Sequence, residues 1–256
     1  MKTKQVVFAV LHLVILIFSS CHELEYIPNV LNTPLFSDKG EFQVASHGSI
    51  GSEFEPQLSY SVTNHIGLML NGSFSNTVTV PDENSVEVTK EKHSFVELGT
   101  GYFSSLSPVQ RFEIYGGIGY GDFWRDDNYS TLKVNCNRIF IQPALGMTSR
   151  YFDLSFASKF VLANYLDGSY ETPGGGYIGN IDFSGKSRFS MQPAITTKIG
   201  INYVKVVLQL GCSIPFYSID PNELVLFDYF PLLSLGLQVN VDKLLKKSDH
   251  RNVPDF

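Results

Sequence analysis

The sequence has no long apolar run in its interior, and it has few charges. No stretch of the 256 residues beyond the N-terminus approaches the roughly 18 apolar residues that a membrane-spanning helix requires. This excludes a helical membrane protein. Asp, Glu, Lys and Arg make up only 17% of the chain, whereas about 25% is usual in soluble proteins. A membrane β-barrel agrees with both observations, because only alternate residues of its strands face lipid.

Basic residues and cysteines are also scarce. The 19 Lys and Arg residues against 25 Asp and Glu residues give a net charge of −6, so the basic stripe of a nucleic-acid-binding protein is missing. We expect no nucleic-acid partner. Of the three cysteines, Cys136 has the parity of the polar strand face and Cys212 that of the apolar face, so we expect no disulfide between them. The sequence indicates no metal site and no cofactor.

Aromatic residues, by contrast, reach 13% of the chain, and there are 21 glycines. The clearest pattern lies in residues 138–162, where two runs of alternating apolar and polar residues flank a short polar turn. Ile139 and Leu145 belong to the apolar set of the first run, and Phe152 and Phe156 to that of the second. A period of two predicts β-strands, because successive side chains point to opposite faces.

Ten such strands are predicted between residues 41 and 239, most of them about 9–11 residues long, as a tilted strand needs to cross a bilayer. Short connections mostly alternate with longer ones, which is typical of short periplasmic turns and long outer loops. We therefore predict an all-β fold, a single antiparallel up-and-down transmembrane β-barrel of about ten strands. Residues 75–92 and 163–187 are the predicted outer loops best placed to contact a surface ligand or protein.

The N-terminus has the features of an export signal. Lys2 and Lys4 precede an apolar core at residues 6–18 that is too short to span a membrane as a helix. Small residues then precede Cys21, as in a bacterial lipobox. We predict a lipoprotein signal peptide at residues 1–20 and lipidation of Cys21 with diacylglyceryl and acyl (palmitate-type) groups, which together give stable anchoring. The alternative is an ordinary secretory signal in which Cys21 is incidental.

The rest of the chain divides into three parts. Residues 21–39 contain Pro28 and Pro34 and show no clear period, so we predict a periplasmic tether. Residues 40–240 form the β-barrel domain, and residues 241–256 form a polar C-terminal tail. An even number of strands places both ends of the barrel on the periplasmic side, in agreement with a lipid-anchored, periplasmic N-terminus in the outer membrane. The oligomeric state is left open.

The less apolar strand face carries charged residues together with many glycines and alanines. Small residues have no use on a solvent face but fit a narrow lumen, so we predict that the apolar face points outward. Charges inside such a lumen should pair, because an unpaired buried charge is costly. The predicted lumen polar network comprises Glu97, Arg111, Glu113, Arg138, Asp153, Lys159, Arg188, Lys198 and Lys205. Aromatic residues near strand ends predict an interfacial girdle, comprising Tyr102, Tyr120, Trp124, Tyr165 and Tyr203.

Three prolines, Pro56, Pro143 and Pro193, fall within predicted strands and share the apolar parity. Proline removes a hydrogen bond from a sheet and is usually confined to edges or bulges. We therefore expect bulges and irregular pairing near all three prolines.

No residue pattern predicts catalysis. The pair Asp126-Asp127 in a predicted loop invites comparison with omptin-type barrel proteases, but no Asp-x-His stands at a facing strand end. Ser and His are neighbours at Ser46-His47 and at His93-Ser94, as in barrels that modify lipid A, yet ordinary composition produces such neighbours. We predict no catalytic residues and no enzymatic activity.

Two stretches carry a resemblance to a known group of proteins. The sequence Tyr26-Ile27-Pro28-Asn29-Val30-Leu31-Asn32-Thr33-Pro34 and the sequence Tyr60-Ser61-Val62-Thr63-Asn64-His65-Ile66-Gly67 resemble small outer-membrane β-barrel lipoproteins of the Bacteroidota. The resemblance implies an outer-membrane lipoprotein with no established reaction, so no catalytic residue is carried over from it. The chain departs from many barrel proteins in ending on a polar tail instead of a strand with a terminal aromatic residue.

Three functions are compatible with these features. The first is a lipid-anchored, non-catalytic outer-membrane barrel with a structural or surface-interaction role. The second is a small pore or ligand transporter that uses the polar lumen. The third is a soluble periplasmic lipoprotein with a lipocalin-like barrel, in which the apolar face would point inward.

Overall fold

The fold was analysed in a computed structural model. It describes residues 28–50, 52–79, 88–127, 129–171, 181–182, 184–216 and 230–245. The predicted signal peptide and Cys21 lie outside the described residues.

The described residues are almost entirely β-strand, as the alternating pattern predicts. The strands are β1 (Phe42–Ser49), β2 (Ser52–Ser61), β3 (Ile66–Thr79), β4 (Thr89–Ser105), β5 (Gln110–Asp126), β6 (Thr131–Thr148), β7 (Phe152–Glu171), β8 (Ile181–Asp182), β9 (Ser187–Ile201), β10 (Val204–Pro215) and β11 (Phe230–Asn240).

Ten of these strands form a closed antiparallel ring. Each long strand pairs with the next one along the chain, β7 pairs with β9, and β11 returns to pair with β1. This seam begins at the pair Gln43 and Asn240. The short β8 pairs only with the end of β7, next to the ring. The prediction of one antiparallel up-and-down barrel of ten strands is confirmed.

The two ends of the barrel differ. We call one the turn end; it carries the connections at residues 62–65, 106–109, 149–151 and 202–203, the start of β1 and the end of β11. The other, which we call the loop end, carries the connections at residues 50–51, 80–88, 127–130, 172–186 and 216–229. The strands extend further toward the loop end than predicted, so β3 and β4 take up part of the predicted loop at residues 75–92. Similarly, β7 takes up the first part of the predicted loop at residues 163–187.

The wall of the barrel has unequal height. β1 and β2 have 8 and 10 residues, whereas β6 and β7 have 18 and 20. At about 3.3 Å per residue, the β6–β7 side extends well beyond the β1–β2 side. Because the connections at the turn end have only two to four residues, the difference in height appears at the loop end. We call the β1–β2 side the low wall.

The two faces of the strands separate by polarity, as predicted. Large apolar side chains remain exposed on the outer face along the middle of most strands, among them Leu98, Ile118, Ile139, Leu145, Phe156, Leu208 and Leu235. Phe152 also points outward. The lipocalin-like arrangement requires these side chains to fill the interior, so the orientation of the wall contradicts it.

Strand pairing is irregular near the three strand prolines, as expected. Pairing is interrupted on one side of each proline, but the register before and after it is the same. Register shifts occur between His47 and Ser49, whose partners Glu55 and Ser52 lie close to Pro56, and between Asn135 and Cys136. The prediction of irregular pairing near the prolines is therefore confirmed, whereas the expected bulges are absent at Pro143 and Pro193. Each proline points outward, where a missing N–H interrupts the ladder without displacing the chain.

After β11 the chain forms a single helical turn at residues 241–245. The remainder of the predicted polar tail lies outside the described residues. No helix in the described part of the chain is long and apolar enough to cross a membrane.

Candidate functional site in the barrel lumen

The interior of the barrel is occupied by the chain itself. Every residue from 28 to 36 is buried, and Val30, Leu31 and Phe36 are exposed by 1%, 2% and 0%. We call residues 28–36 the lumen segment. The sequence placed these residues in a periplasmic tether, but they lie inside the barrel, between the walls.

The walls bind the backbone of the lumen segment through side chains. Five consecutive carbonyls, those of residues 30 to 34, each accept a hydrogen bond from a wall residue. The donors, in the same order, are Gln57, Gln209, Gln142, Lys198 and Gln43, at distances of 2.6 to 3.0 Å. Buried backbone carbonyls require partners, and an extended segment without a neighbouring strand obtains them here from long polar side chains.

Wall side chains also accept from the backbone N–H groups. Val30 donates to the Glu55 carboxylate at 2.6 Å, and Phe36 donates to the Glu113 carboxylate at 2.9 Å. Leu31 donates to the amide oxygen of Gln209 at 2.8 Å, while the same amide donates to the Leu31 carbonyl. Gln209 therefore pairs with Leu31 through both of its amide atoms, as a strand residue would.

The lumen segment enters from the turn end. The N–H groups of Ser37 and Asp38 donate to Glu41, just before β1, and the N–H of Lys39 donates to Asn64 in the β2–β3 turn. The Phe36 ring lies 5.4 Å from the Phe103 ring, near the end of β4. From there the segment rises toward the middle of the barrel. Leu35, with a φ of 56°, adopts a left-handed conformation that is uncommon for a residue other than glycine.

At the top of the described segment, Asn29 joins a buried charge cluster. The Glu97 carboxylate accepts from Lys159 at 2.6 and 2.7 Å and from the Asn29 amide at 2.8 Å. It also lies 2.9 Å from Nε of Arg138, whose guanidinium in turn donates to the side-chain amide oxygen Oδ1 of Asn29 at 2.5 Å. All three charged side chains are at most 1% exposed. The cluster therefore ties strands β4, β6 and β7 to the lumen segment.

Aromatic rings complete the surroundings of the two cations in this cluster. The guanidinium carbon of Arg138 lies 3.4 Å from the centre of the Phe95 ring. The Lys159 ammonium lies 4.4 Å from the centre of the Phe140 ring. Both contacts have the geometry of cation–π interactions.

Most of the other predicted lumen residues are also inside, nearer the turn end. Lys205 donates to Asp153 at 2.7 Å, and Lys198 donates to Gln238 at 2.8 Å as well as to the lumen segment. Glu113 is fully buried against Phe36. Arg111 is buried but bonds mainly to backbone carbonyls of the β4–β5 turn. Arg188, near the loop end, is only half-buried.

Above the charge cluster, the tall side of the wall closes over the lumen with apolar side chains. The members of this apolar cap are Phe95, Phe123, Leu132, Val134, Cys136 and Tyr165. The sequence placed Tyr165 in an outer aromatic girdle, but the residue is 1% exposed and lies inside. Tyr102 and Tyr120 are exposed on the outer face, Trp124 lies half-buried near the loop end, and Tyr203 lies half-buried at the turn end.

Small residues on the inner face make room for this packing. A Cβ atom added at Gly117 would lie 2.6 Å from the Phe140 ring, and one at Gly146 would lie 2.7 Å from Leu35. Both distances are shorter than any normal carbon–carbon contact. The glycines of the inner face are therefore required by close packing against large side chains.

One serine and one histidine in the lumen have the geometry of a nucleophile and a base. The Ser73 hydroxyl lies 3.0 Å from Nε2 of His93 and donates to the Ser52 hydroxyl at 3.0 Å. A nucleophile–base contact of this length is a common feature of acyl-transfer sites. Ser73, however, is 1% exposed, so a substrate carbonyl has no approach to it. The contact instead satisfies the buried polar side chains of Ser73 and His93.

The acidic pair Asp126 and Asp127 stabilises the β5–β6 connection. The Asp127 carboxylate accepts from the N–H groups of Tyr129 and Ser130 and from the Ser130 hydroxyl. Burial opposes ionisation, but these hydrogen bonds prevail and lower the pKa of Asp127 below its usual value. Asp126 accepts from Thr131 at 3.0 Å. Both carboxylates thus have structural partners.

Cys136 and Cys212 are free cysteines, as predicted; one lies in the lumen and the other on the outer face. Within the described residues, no group of His, Cys, Asp and Glu side chains has the geometry of a metal site. An open groove borders the low wall at the loop end, and its lining includes Ile50, Glu53, Leu208 and Leu235.

The lumen segment was missed because side chains, not a neighbouring strand, bind it, and such binding leaves no period in the sequence. One signal was present. Residues 26–37 contain no charged residue and include Ile27, Val30, Leu31, Leu35 and Phe36. An exposed tether is normally polar and charged, so this composition indicates burial.

The comparisons with known proteins are distant. No family model and no curated protein sequence matches the chain. Solved structures that are similar in outline include two bacterial proteins. The translocator domain of the autotransporter NalP from Neisseria meningitidis has 8% identity and a TM-score of 0.44, and the match covers 78% of this chain and 86% of that one. CarO from Acinetobacter baumannii has 9% identity and a TM-score of 0.32, and the match covers 82% of this chain and 100% of that one.

Proposed function

We propose that the protein is an outer-membrane β-barrel lipoprotein, anchored by a lipid at Cys21, that has a structural or surface-interaction role and no catalytic activity. The observation that carries the proposal is the combination of an apolar outer face with a lumen filled by the protein's own N-terminal segment. An apolar outer face of this size is unfavourable in water, and it is stabilised only when lipid or another protein covers it.

The height of the wall supports the membrane part of the proposal. Strands of 12 to 20 residues in β4 to β7, β9 and β10 exceed the roughly 9–11 residues that cross a bilayer. The sequence of Cys21 and its preceding residues supports the lipid anchor, and the N-terminal resemblance to Bacteroidota barrel lipoproteins agrees with it.

The lumen segment argues against the pore alternative. A ten-stranded barrel is only slightly wider than an eight-stranded one, whose interior side chains fill. Here the lumen contains a polypeptide segment in addition to those side chains, and it is held by hydrogen bonds from many wall strands. A closed lumen leaves the loop end as the surface for contact with a ligand or protein.

Membrane extraction and conductance test the proposal. The full-length protein and the Cys21→Ala variant should both remain in the membrane after high-salt and alkaline washing, and both should require detergent for extraction. Solubility of the variant without detergent would contradict a membrane barrel.

In planar bilayers the purified protein should show no steady conductance. A variant in which residues 28–36 are replaced by a Gly-Ser linker of equal length should show measurable ion leakage. Steady conductance of the unmodified protein would favour a pore and overturn the closed lumen.

A further inference from the structure

The lumen segment has a direction, and its contacts can be ordered along the barrel axis. Phe36 bonds to Glu113, three residues from the turn-end start of β5. Leu31 bonds to Gln209, five residues from the turn-end start of β10. Asn29 bonds to Glu97, eight residues from the turn-end limit of β4. Going back along the chain, the segment thus moves steadily away from the turn end.

The low wall brings the top of the lumen segment close to the loop end. The N–H of Val30 donates to Glu55, which lies three residues from Ser52, the loop-end start of β2. Ser49, the last residue of β1, donates to the same carboxylate. On this side, therefore, the segment has almost reached the edge of the barrel at residue 30.

Side chains of the described strands fill the lumen beside the segment. Met69, Tyr115, Phe140 and Val161 pack together in the middle of the barrel, next to the charge cluster. The apolar cap lies above it, on the tall side. A second extended chain passing back would need about 5 Å or more of free width beside the first, and a ten-stranded barrel that already holds these side chains and one segment is too narrow to provide it.

The length of the chain is sufficient to reach the loop end. Cys21 precedes Asn29 by eight residues (29 − 21), which span up to about 26 Å when extended. From Glu97 to Thr89, the loop-end start of β4, there are also eight residues (97 − 89). A strand tilted by about 40° rises only about 20 Å over that length.

We infer that the N-terminus leaves the barrel at the loop end, over the low wall. The acylation site at Cys21 then lies opposite the turn end, where β1 starts and β11 ends. The inference rests on the proposed function for the membrane and the lipid. With the turn end in the periplasm, the acyl chains enter the outer leaflet at the cell surface. This differs from the expectation, drawn from the even strand number, of a periplasmic N-terminus.

Cysteine labelling on intact cells tests the inference. Single cysteines are placed by Glu23→Cys near the N-terminus, by Lys186→Cys at the loop end and by Asn64→Cys at the turn end, in full-length protein that carries Cys136→Ala and Cys212→Ala. Lys186 and Asn64 are both exposed. A membrane-impermeant maleimide is applied to a Gram-negative host before and after permeabilisation of the outer membrane.

The expected result is that Glu23→Cys and Lys186→Cys are both labelled on intact cells, whereas Asn64→Cys is labelled only after permeabilisation. If Glu23→Cys is labelled only after permeabilisation, like Asn64→Cys, while Lys186→Cys is labelled on intact cells, the inference is overturned. The proposal of a membrane barrel is then still supported. If all three cysteines behave alike and the protein is found in the soluble fraction, the proposed function fails, and the inference fails with it.

Discussion

The carboxylate of Glu97 and the ammonium of Lys159 are joined by two hydrogen bonds of 2.6 and 2.7 Å in the middle of the lumen. The same carboxylate also neutralises Arg138 at 2.9 Å. One acid thus stands between two cations, and the three positions are not equivalent. Removal of the acid leaves two buried cations facing each other, whereas removal of Lys159 leaves a matched pair.

The first prediction follows from this asymmetry. Glu97→Gln should lower the free energy of unfolding by about 3–5 kcal/mol, as expected when a buried ion pair loses one partner. Lys159→Met should cost clearly less, because Glu97 keeps Arg138. Urea unfolding in detergent micelles, followed by tryptophan fluorescence and by heat-modifiable migration on gels, measures both. Equal losses for the two variants would show that the cluster does not act as one acid between two bases.

The second prediction concerns the pairing of Gln209 with Leu31. Gln209→Leu keeps a similar volume but leaves the N–H and the carbonyl of Leu31 without their partners, at about 1–3 kcal/mol for each buried group. We expect a loss of about 2–6 kcal/mol for the two groups together and faster protease cleavage within the lumen segment. Leu208→Ala, on the outer face of the same strand, is the matched control and should leave cleavage unchanged. Equal protection in both variants would contradict recognition of the segment by the wall amides.

The third prediction uses two neighbouring glycines. At Gly117 an added Cβ would lie 2.6 Å from the Phe140 ring, whereas at Gly116 it would lie at an ordinary 3.5 Å from the Phe140 carbonyl oxygen. Gly117→Ala should therefore destabilise the barrel by about 1–3 kcal/mol through overpacking. Gly116→Ala should be nearly neutral. Thermal unfolding of both variants measures the difference. If Gly116→Ala were the more destabilising of the two, the assignment of the inner face would be wrong.

The fourth prediction tests the membrane as the surroundings of the outer face. Ile118, in the middle of β5, and Val78, near the loop end of β3, are exposed by 63% and 60%. Ile118→Arg should cost about 2–4 kcal/mol, as a charge near the bilayer midplane does, and Val78→Arg about 0–1 kcal/mol. Folding into lipid vesicles measures both. The same small cost at both depths would indicate that the outer face meets water or protein instead of lipid.

The wall of the barrel was predictable from the sequence because each strand repeats one elementary constraint. Ile139 and Leu145 alternate with Arg138 and Ala144, and the period of two fixes which side each residue faces. Strand lengths were less predictable. In the loop-end half of β6 the polarity of the alternation is reversed, because Leu132 and Val134 face inward while Lys133 and Asn135 face outward. A rule that assigns the polar residues to the lumen therefore fails there.

The lumen was only half predictable. The charged wall residues could be assigned to it by parity, but their partners could not, since Glu113 and Lys198 bond to the backbone of Phe36 and Thr33. A backbone group carries no sequence signature. Pairing between acids and bases is the general expectation for such a lumen; in this protein, a peptide segment satisfies much of the polar wall instead.

The seam between β1 and β11 sets an order of events during folding. It joins Gln43 to Asn240, so the ring cannot close until the last strand has been made and has arrived. The lumen segment immediately precedes β1 and is enclosed once that seam forms. We expect the segment to lie along the open sheet before closure, because the wall residues that donate to its carbonyls come from β1, β2, β6, β9 and β10, on both sides of the seam. Such long-range closure is slow, and once it is complete these hydrogen bonds hold the segment inside the ring.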